Sequence, residues 1–254
     1  MATAECTRRR CPLEARGLNT LPLSLSRDEK IKLVSAGYKE EDDFLGRKGG
    51  DFKGTISPFK ANRIIAEINQ KRIKNNEYWT REHRRRLDTV GTKVDEVEAL
   101  YSSGGVKLEW AIRELFDTGF ADCSVVRVSD QKKGEPDLLM TFPNGKKITV
   151  QVTASENPTK YIDSKKAGEV IAQSARFHPD GYICMGRPDF QSLAIEQADH
   201  LGVEKNFKLI PIFVLAELFV RSREGKLSHK NCAKLLLSSR GYITMSEVDK
   251  ITKP

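Results

Sequence analysis

Long apolar runs are missing from this chain. The most apolar stretch, residues 209–220 (LIPIFVLAELFV), includes Glu217 and is only 12 residues long, whereas a helix needs about 20 to cross a bilayer. The opening residues, MATAECTRRRCPLEARG, carry arginines with no apolar segment behind them, so no secretory signal is expected. A soluble, cytoplasmic protein without a membrane partner is the expectation. Cysteine is scarce: five residues, an odd and scattered set (Cys6, Cys11, Cys123, Cys184, Cys232) with no CxxC pair. That excludes both a disulfide framework and a zinc site. Cys123 and Cys184 adjoin strand-like runs and read as small buried hydrophobes. The four histidines show no metal-ligand spacing, and the glycine-rich loop EEDDFLGRKGGDFKG lacks the GxxxxGK[ST] signature of a P-loop. Aromatics are only 7% of residues, which argues against a carbohydrate-binding sandwich.

What the chain does have is a core and an excess of positive charge. With 254 residues and 39% hydrophobic side chains it can bury one good core, or two. Lys and Arg number 43 against 35 acids, a net +8. Residues 60–86 concentrate the excess, nine basic side chains against three acids. A stripe of that density suits a polyanion, bound by counterion release; a solvated helix face is the competing explanation. Within it Lys71, Arg72, Arg84, Arg85 and Arg86 are the candidate phosphate contacts.

Periodicity divides the chain. Residues 1–25 read as a flexible basic tail. A helical, basic region over 26–101 opens at a capping box, Ser26 with Glu29, and continues helically from Pro58 to about residue 100 with a break near Gly91. From residue 102 the order is α-β-β-β-α-β-α-β-α, with strands in CSVVRV, DLLMTF, KITVQVTA, GYICM and KLIPIF. Pro143-Asn144-Gly145 predicts a hairpin between the second and third. Such alternation predicts a three-layer α/β domain with a mixed central sheet over 102–224. Residues 225–254 add a helical extension of two short helices, a cap or a fragment of a helix-turn-helix.

The chemistry-bearing segment is GEPDLLMTFPNGKKITVQVTAS. In KITVQVTA, strand alternation sets Gln151 and Thr153 on one face, about 7 Å apart, and the hairpin brings Asp137 within reach of Gln151. Two oxygen donors, below a preceding helix that carries Glu109, suit a hard divalent cation.

A helix with Glu, an Asp-led strand and a hairpin to a strand bearing an amide two residues before the family's lysine position resemble the PD-(D/E)xK nuclease core. The match is to its Mrr-like branch, whose strand motif is QxK. The segments GYICMGRPDFQSLAIEQADHLG and KLIPIFVLAELFV resemble the later helix and strand of that branch, so the likeness covers residues 105–220. It implies a restriction-endonuclease-like fold and a Mg²⁺-dependent (or Mn²⁺-dependent) DNA endonuclease, such enzymes often acting as homodimers. Carried over, Asp137 is the principal metal ligand, Gln151 ligates through its carbonyl, and Glu109 orients or ligates the metal. Thr153 stands where the family has lysine. Lysine positions the attacking water and stabilises phosphate charge; losing such a group costs about 2–4 kcal/mol of transition-state stabilisation. Lys165, or Lys160 or Lys166 beside it, could reach back to replace it, or two metal ions could carry the load. Lys147 lies about 13 Å along the strand, too far. The other reading is a nuclease fold that binds nucleic acid without catalysis and acts through partners.

Overall fold

The computed structural model describes residues 15, 17–128 and 134–252. Most of the expected tail, with Cys6 and Cys11, lies outside them. The chain divides into two compact units, residues 1–73 and 74–254, and the division falls within one long helix.

The first unit builds its own core. Helix α1 (Arg27–Ser35) starts at the expected capping box: Ser26 Oγ accepts from the Glu29 amide at 3.2 Å, and Glu29 Oε2 accepts from the Ser26 amide at 2.7 Å. The described residues before it are not a free tail. Ala15, Leu18, Leu21 and Leu25 are buried with Leu33, Ile64 and Ile68 in one cluster. The charged glycine-rich loop folds into two 3₁₀ turns, Glu41–Phe44 and Gly49–Phe52. They carry Phe44 and Phe52 inward, where the rings stack with centroids 4.7 Å apart. Apolar side chains spaced too irregularly for a helix or strand pattern still find a common core.

Helix α2 (Pro58–Thr89) begins with proline, whose missing N–H costs nothing in a first turn. It stops before Gly91, which takes φ +66°, and α3 (Asp95–Ser102) follows. Leu87, Val97 and Leu100 share the core of helix α4 (Val106–Asp117), which is why the second unit starts earlier than residue 102.

The second unit is an α/β fold around a mixed six-stranded sheet in the order β1-β2-β3-β4-β5-β6. Strands β1 (Ser124–Arg127), β2 (Leu138–Thr141) and β3 (Lys147–Ala154) pair antiparallel with one another, β1 with β2 and β2 with β3. The β2–β3 turn is the expected hairpin: Gly145 sits at φ +80° and donates to Phe142 O at 2.9 Å. Strands β4 (Gly181–Arg187), β5 (Phe207–Pro211) and β6 (Gly241–Tyr242) continue in parallel with β3. Between them run α5 (Ser164–Gln173), α6 (Ser192–Lys205) and α7 (Ile212–Arg223).

Two apolar clusters lie on the two sheet faces, making three layers. One joins Ile148, Val150, Ile183, Met185 and Ile210 to α3, α4 and α7. The other joins Cys184 and Leu209 to α5 and α6. The C-terminal helices α8 (His229–Ser238) and α9 (Met245–Ile251) add Cys232, Leu236 and Val248 to the first cluster. Strand β6 lies between them, so they are not a helix-turn-helix. Two residues of strand leave no readable period, which is why the sequence hid it.

Candidate functional site

The sheet end formed by the carboxyl ends of β1, β3, β4 and β5 and the start of β2 collects the polar residues, the usual place for ligands in open α/β sheets. Register puts Leu138 opposite Val150 and Leu139 opposite Thr149, so the next pair outward is Asp137 with Gln151. Leu138 and Val150 point into the α4–α7 cluster; Asp137 and Gln151 therefore face the α5 side. Asp137 is 7% exposed. Its Oδ2 accepts from Gln151 Nε2 at 2.6 Å and from the Val152 amide at 2.7 Å, and no hydrogen bond to Oδ1 is present among the described residues. Gln151 Oε1, turned the other way, is buried with no hydrogen-bond partner.

The electrostatics match that geometry. Burial pushes the Asp137 carboxyl up to about 7, against the Val152 amide, which lowers it; nearby Glu109 raises it and Arg127 lowers it. Glu109, buried on the first turn of α4, accepts from Arg127 Nε at 2.9 Å. The Arg127 guanidinium also lies 4.9 Å from the Trp110 ring centroid. Three of the expected residues, Glu109, Asp137 and Gln151, thus meet at one sheet end. Thr153 is half-buried two residues beyond Gln151, opposite Gly186.

Lys165 forms no bond with this group. It is exposed in the first turn of α5, with no hydrogen bond or ion pair to Asp137, Gln151 or Thr153 among the described residues. Asp163 caps that turn, its Oδ1 accepting from the Lys166 amide at 2.9 Å, which commits the helix start to a structural role. Lys160 lies in the loop before it.

Sequence reasoning missed Arg127. Nothing in the pattern of a four-residue strand marks it; only the register, which pairs it with Leu138 beside Asp137, shows that a cation stands among the carboxylates. No group of three or more His, Cys, Asp or Glu suited to a metal exists among the described residues. The oxygen set that could hold a hard cation is therefore mixed, Asp137 with the Gln151 carbonyl once the amide is reversed so that Oε1, not Nε2, faces the carboxylate. The orphaned Oε1 makes the pair chemically suited to such a cation.

The basic stripe separates into structural and surface charges. Arg72 is 4% exposed and bonded to Glu41 and Asp42. Arg86 donates to Glu217 at 2.7 Å and twice to Glu224. Both were expected among phosphate contacts; both are instead committed to internal ion pairs. Lys71, Arg84 and Arg85 are exposed and pair with Glu41, Glu98 and Glu82, contacts that solvent and salt screen. Lys74 and Arg81, seven residues apart on α2, are exposed and unpaired among the described residues. Cys184, opposite Gln151, is buried and its thiol is pushed up by burial first and by Asp137 next, so it is no nucleophile; Cys232 is likewise buried and Cys123 partly so. No helix among the described residues is long and apolar enough to cross a membrane. No family model, curated protein or solved structure matches the chain.

Proposed function

We propose that the second unit is a metal-dependent DNA endonuclease of the restriction type, a PD-(D/E)xK-like fold with Gln151 in the ligand motif. The observation that carries this reading is the Asp137–Gln151 pair. A buried carboxyl raised to about 7 and an adjacent buried amide oxygen without a partner would both be stabilised by a cation. A divalent ion held there would supply the Lewis-acid charge for phosphodiester hydrolysis. The chain's own residues do the rest. The Val152 amide fixes the Asp137 carboxylate in place, and Glu109 with Arg127 sets the charge beside it; Gln151 would ligate only with its amide reversed, giving up the Nε2 bond to Asp137. Thr153 can orient a water by hydrogen bonding but adds no positive charge.

That last point favours a second reading. With Thr153 at the lysine position and no bond from Lys165 to the site among the described residues, a cation that does stand beside the carboxylates is Arg127, itself paired with Glu109. A fold retained for nucleic-acid binding without catalysis accommodates this. Supercoiled plasmid incubated with the protein and Mg²⁺ or Mn²⁺ distinguishes the two. The endonuclease reading expects metal-dependent nicking that Asp137→Ala abolishes. An inert wild type that binds DNA, with nicking appearing in Thr153→Lys, selects the binding protein instead. Nicking that survives Asp137→Ala overturns the site.

A further inference from the structure

The same sheet end holds a second polar feature that the metal pair does not use. A cleft of about 420 Å³ is lined by Asn76, Tyr101, Ser102, Glu156 and Arg187, among others. Arg187 ends β4 and pairs in register with Ala154 of β3. Alternation puts its side chain with Ile183 and Met185, on the α4–α7 face. It is only 9% exposed, and its guanidinium has no hydrogen bond, ion pair or ring contact among the described residues. Every other Lys or Arg buried to this degree among them has partners: Arg72 has Glu41 and Asp42, and Lys208 Nζ donates to Leu236 O at 2.8 Å. A buried, uncompensated charge is costly, and natural proteins pair it.

We propose that this cleft is a phosphate-binding site with Arg187 as its anchoring cation. A planar guanidinium with several donors suits a phosphate's oxygens, and partial burial strengthens each contact. The Asn76 amide lines the same space as a further donor, while the Ser102 hydroxyl already donates to Glu98 O at 2.8 Å and Tyr101 Oη is engaged with His83 Nδ1 at 2.8 Å. Glu156, the one acid in the lining, is exposed at the rim. Arg187 lies three residues beyond Gln151's level on the sheet, about 10 Å along the strands by strand rise, with its side chain on the opposite face. A nucleic-acid strand crossing this sheet end would present successive phosphates, about every 3.4 Å of axis along one strand of a duplex. The site as an anion site stands independently; a nucleic-acid strand as the phosphate's source rests on the function proposed above.

The test uses the full chain in EDTA, which removes metal chemistry from the readout. Thermal midpoints are measured in inorganic phosphate and in chloride of equal ionic strength for wild type, Arg187→Met and Arg187→Lys. Affinity for a short DNA duplex is measured alongside. Phosphate, not chloride, should raise the wild-type midpoint in a saturable way. Arg187→Met should lose that shift while melting no lower than wild type without phosphate, because it removes an unpaired charge; Arg187→Lys should keep part of the shift. A tenfold or greater loss of duplex affinity in Arg187→Met assigns the phosphate to a nucleic-acid strand; unchanged duplex affinity with the phosphate shift lost assigns it to a free phosphate or nucleotide. Absence of a phosphate-specific shift in wild type, or its persistence in Arg187→Met, overturns the site. So does an unliganded Arg187→Met that melts well below both wild type and Arg187→Lys, since that marks a structural arginine. Failure of the endonuclease reading shows separately, as absent nicking with the phosphate shift intact.

Discussion

At Asp137 a single carboxyl is asked to be both buried and charged. Its folded value of about 7 lies above the ordinary 3.8, so the folded state holds its proton more tightly than the unfolded chain does. The stability this contributes is fully present below pH 3.8 and is lost as pH rises through about 7. Asp137→Asn removes the ionisation while keeping an acceptor for the Val152 amide. In EDTA the variant should therefore unfold at higher urea than wild type at pH 8, by on the order of 1–3 kcal/mol, and the gap should close towards pH 4. A gap of equal size at both pH values would refute the buried-charge account. Glu217 is the opposite case. Burial alone would raise its carboxyl, but hydrogen bonds from His83 Nε2 at 2.8 Å, Arg221 and Arg86 together hold it at about 2. Its contribution is present above the ordinary 4.5 and is lost as pH falls towards 2. Glu217→Gln leaves three partners around a neutral amide and should cost about 3 kcal/mol near pH 7. Chemical denaturation at pH 7 and pH 3 checks both the size and the narrowing at low pH.

Among elements, α6 packs closely against β6 at Gly202. A Cβ on Gly202 of α6 would stand 2.7 Å from the Gly241 backbone nitrogen and 3.1 Å from Phe207 O. Neither backbone atom can move without displacing a strand. Gly202→Ala should therefore destabilise by about 1–3 kcal/mol, even though alanine is the better helix former by about 1 kcal/mol. Thermal unfolding decides it; a stabilised variant would mean that β6 does not lie where the structure has it. Helix α2 shows a different balance. Its sequence reads as one basic stripe, yet Arg72 and Arg86 turn inward to acids from other elements, and only pairing partners far along the chain reveal that. The hairpin that joins Asp137 to Gln151 was legible because its cause is local, an Asn-Gly turn between alternating strands. Lys165 was expected to reach back over the sheet from the next helix; no local pattern states where a helix start will lie relative to a sheet, and it stands exposed.

For the whole molecule, charge is the property that acts at a distance. The net +8 survives folding, but the residues free to release counterions are fewer than the stripe suggests. Lys74 and Arg81 are exposed without partners among the described residues, so replacing both with glutamine should weaken DNA binding for all sequences alike. The slope of log affinity against log salt should fall by nearly 2, about 0.9 for each phosphate no longer neutralised. The same pair of substitutions at Arg72 and Arg86 should instead lower stability. An unchanged slope in the Lys74/Arg81 variant would place the DNA surface elsewhere.

The sequence by itself determined what depends on neighbours along the chain: the alternation that makes an α/β unit, the turn between β2 and β3, the capping box at α1, the shared face of Gln151 and Thr153. Tertiary structure alone decided what depends on residues far apart. It buried Leu18, Leu21 and Leu25 in a core of their own, inserted β6, and set Arg127 beside Asp137 and Glu109. It also left Arg187, among the described residues, without a counter-charge at the end of β4. Spacing specifies the direction of a side chain from its own backbone; whether that direction meets a partner, a solvent cleft or a core is set by chain segments that no local period describes.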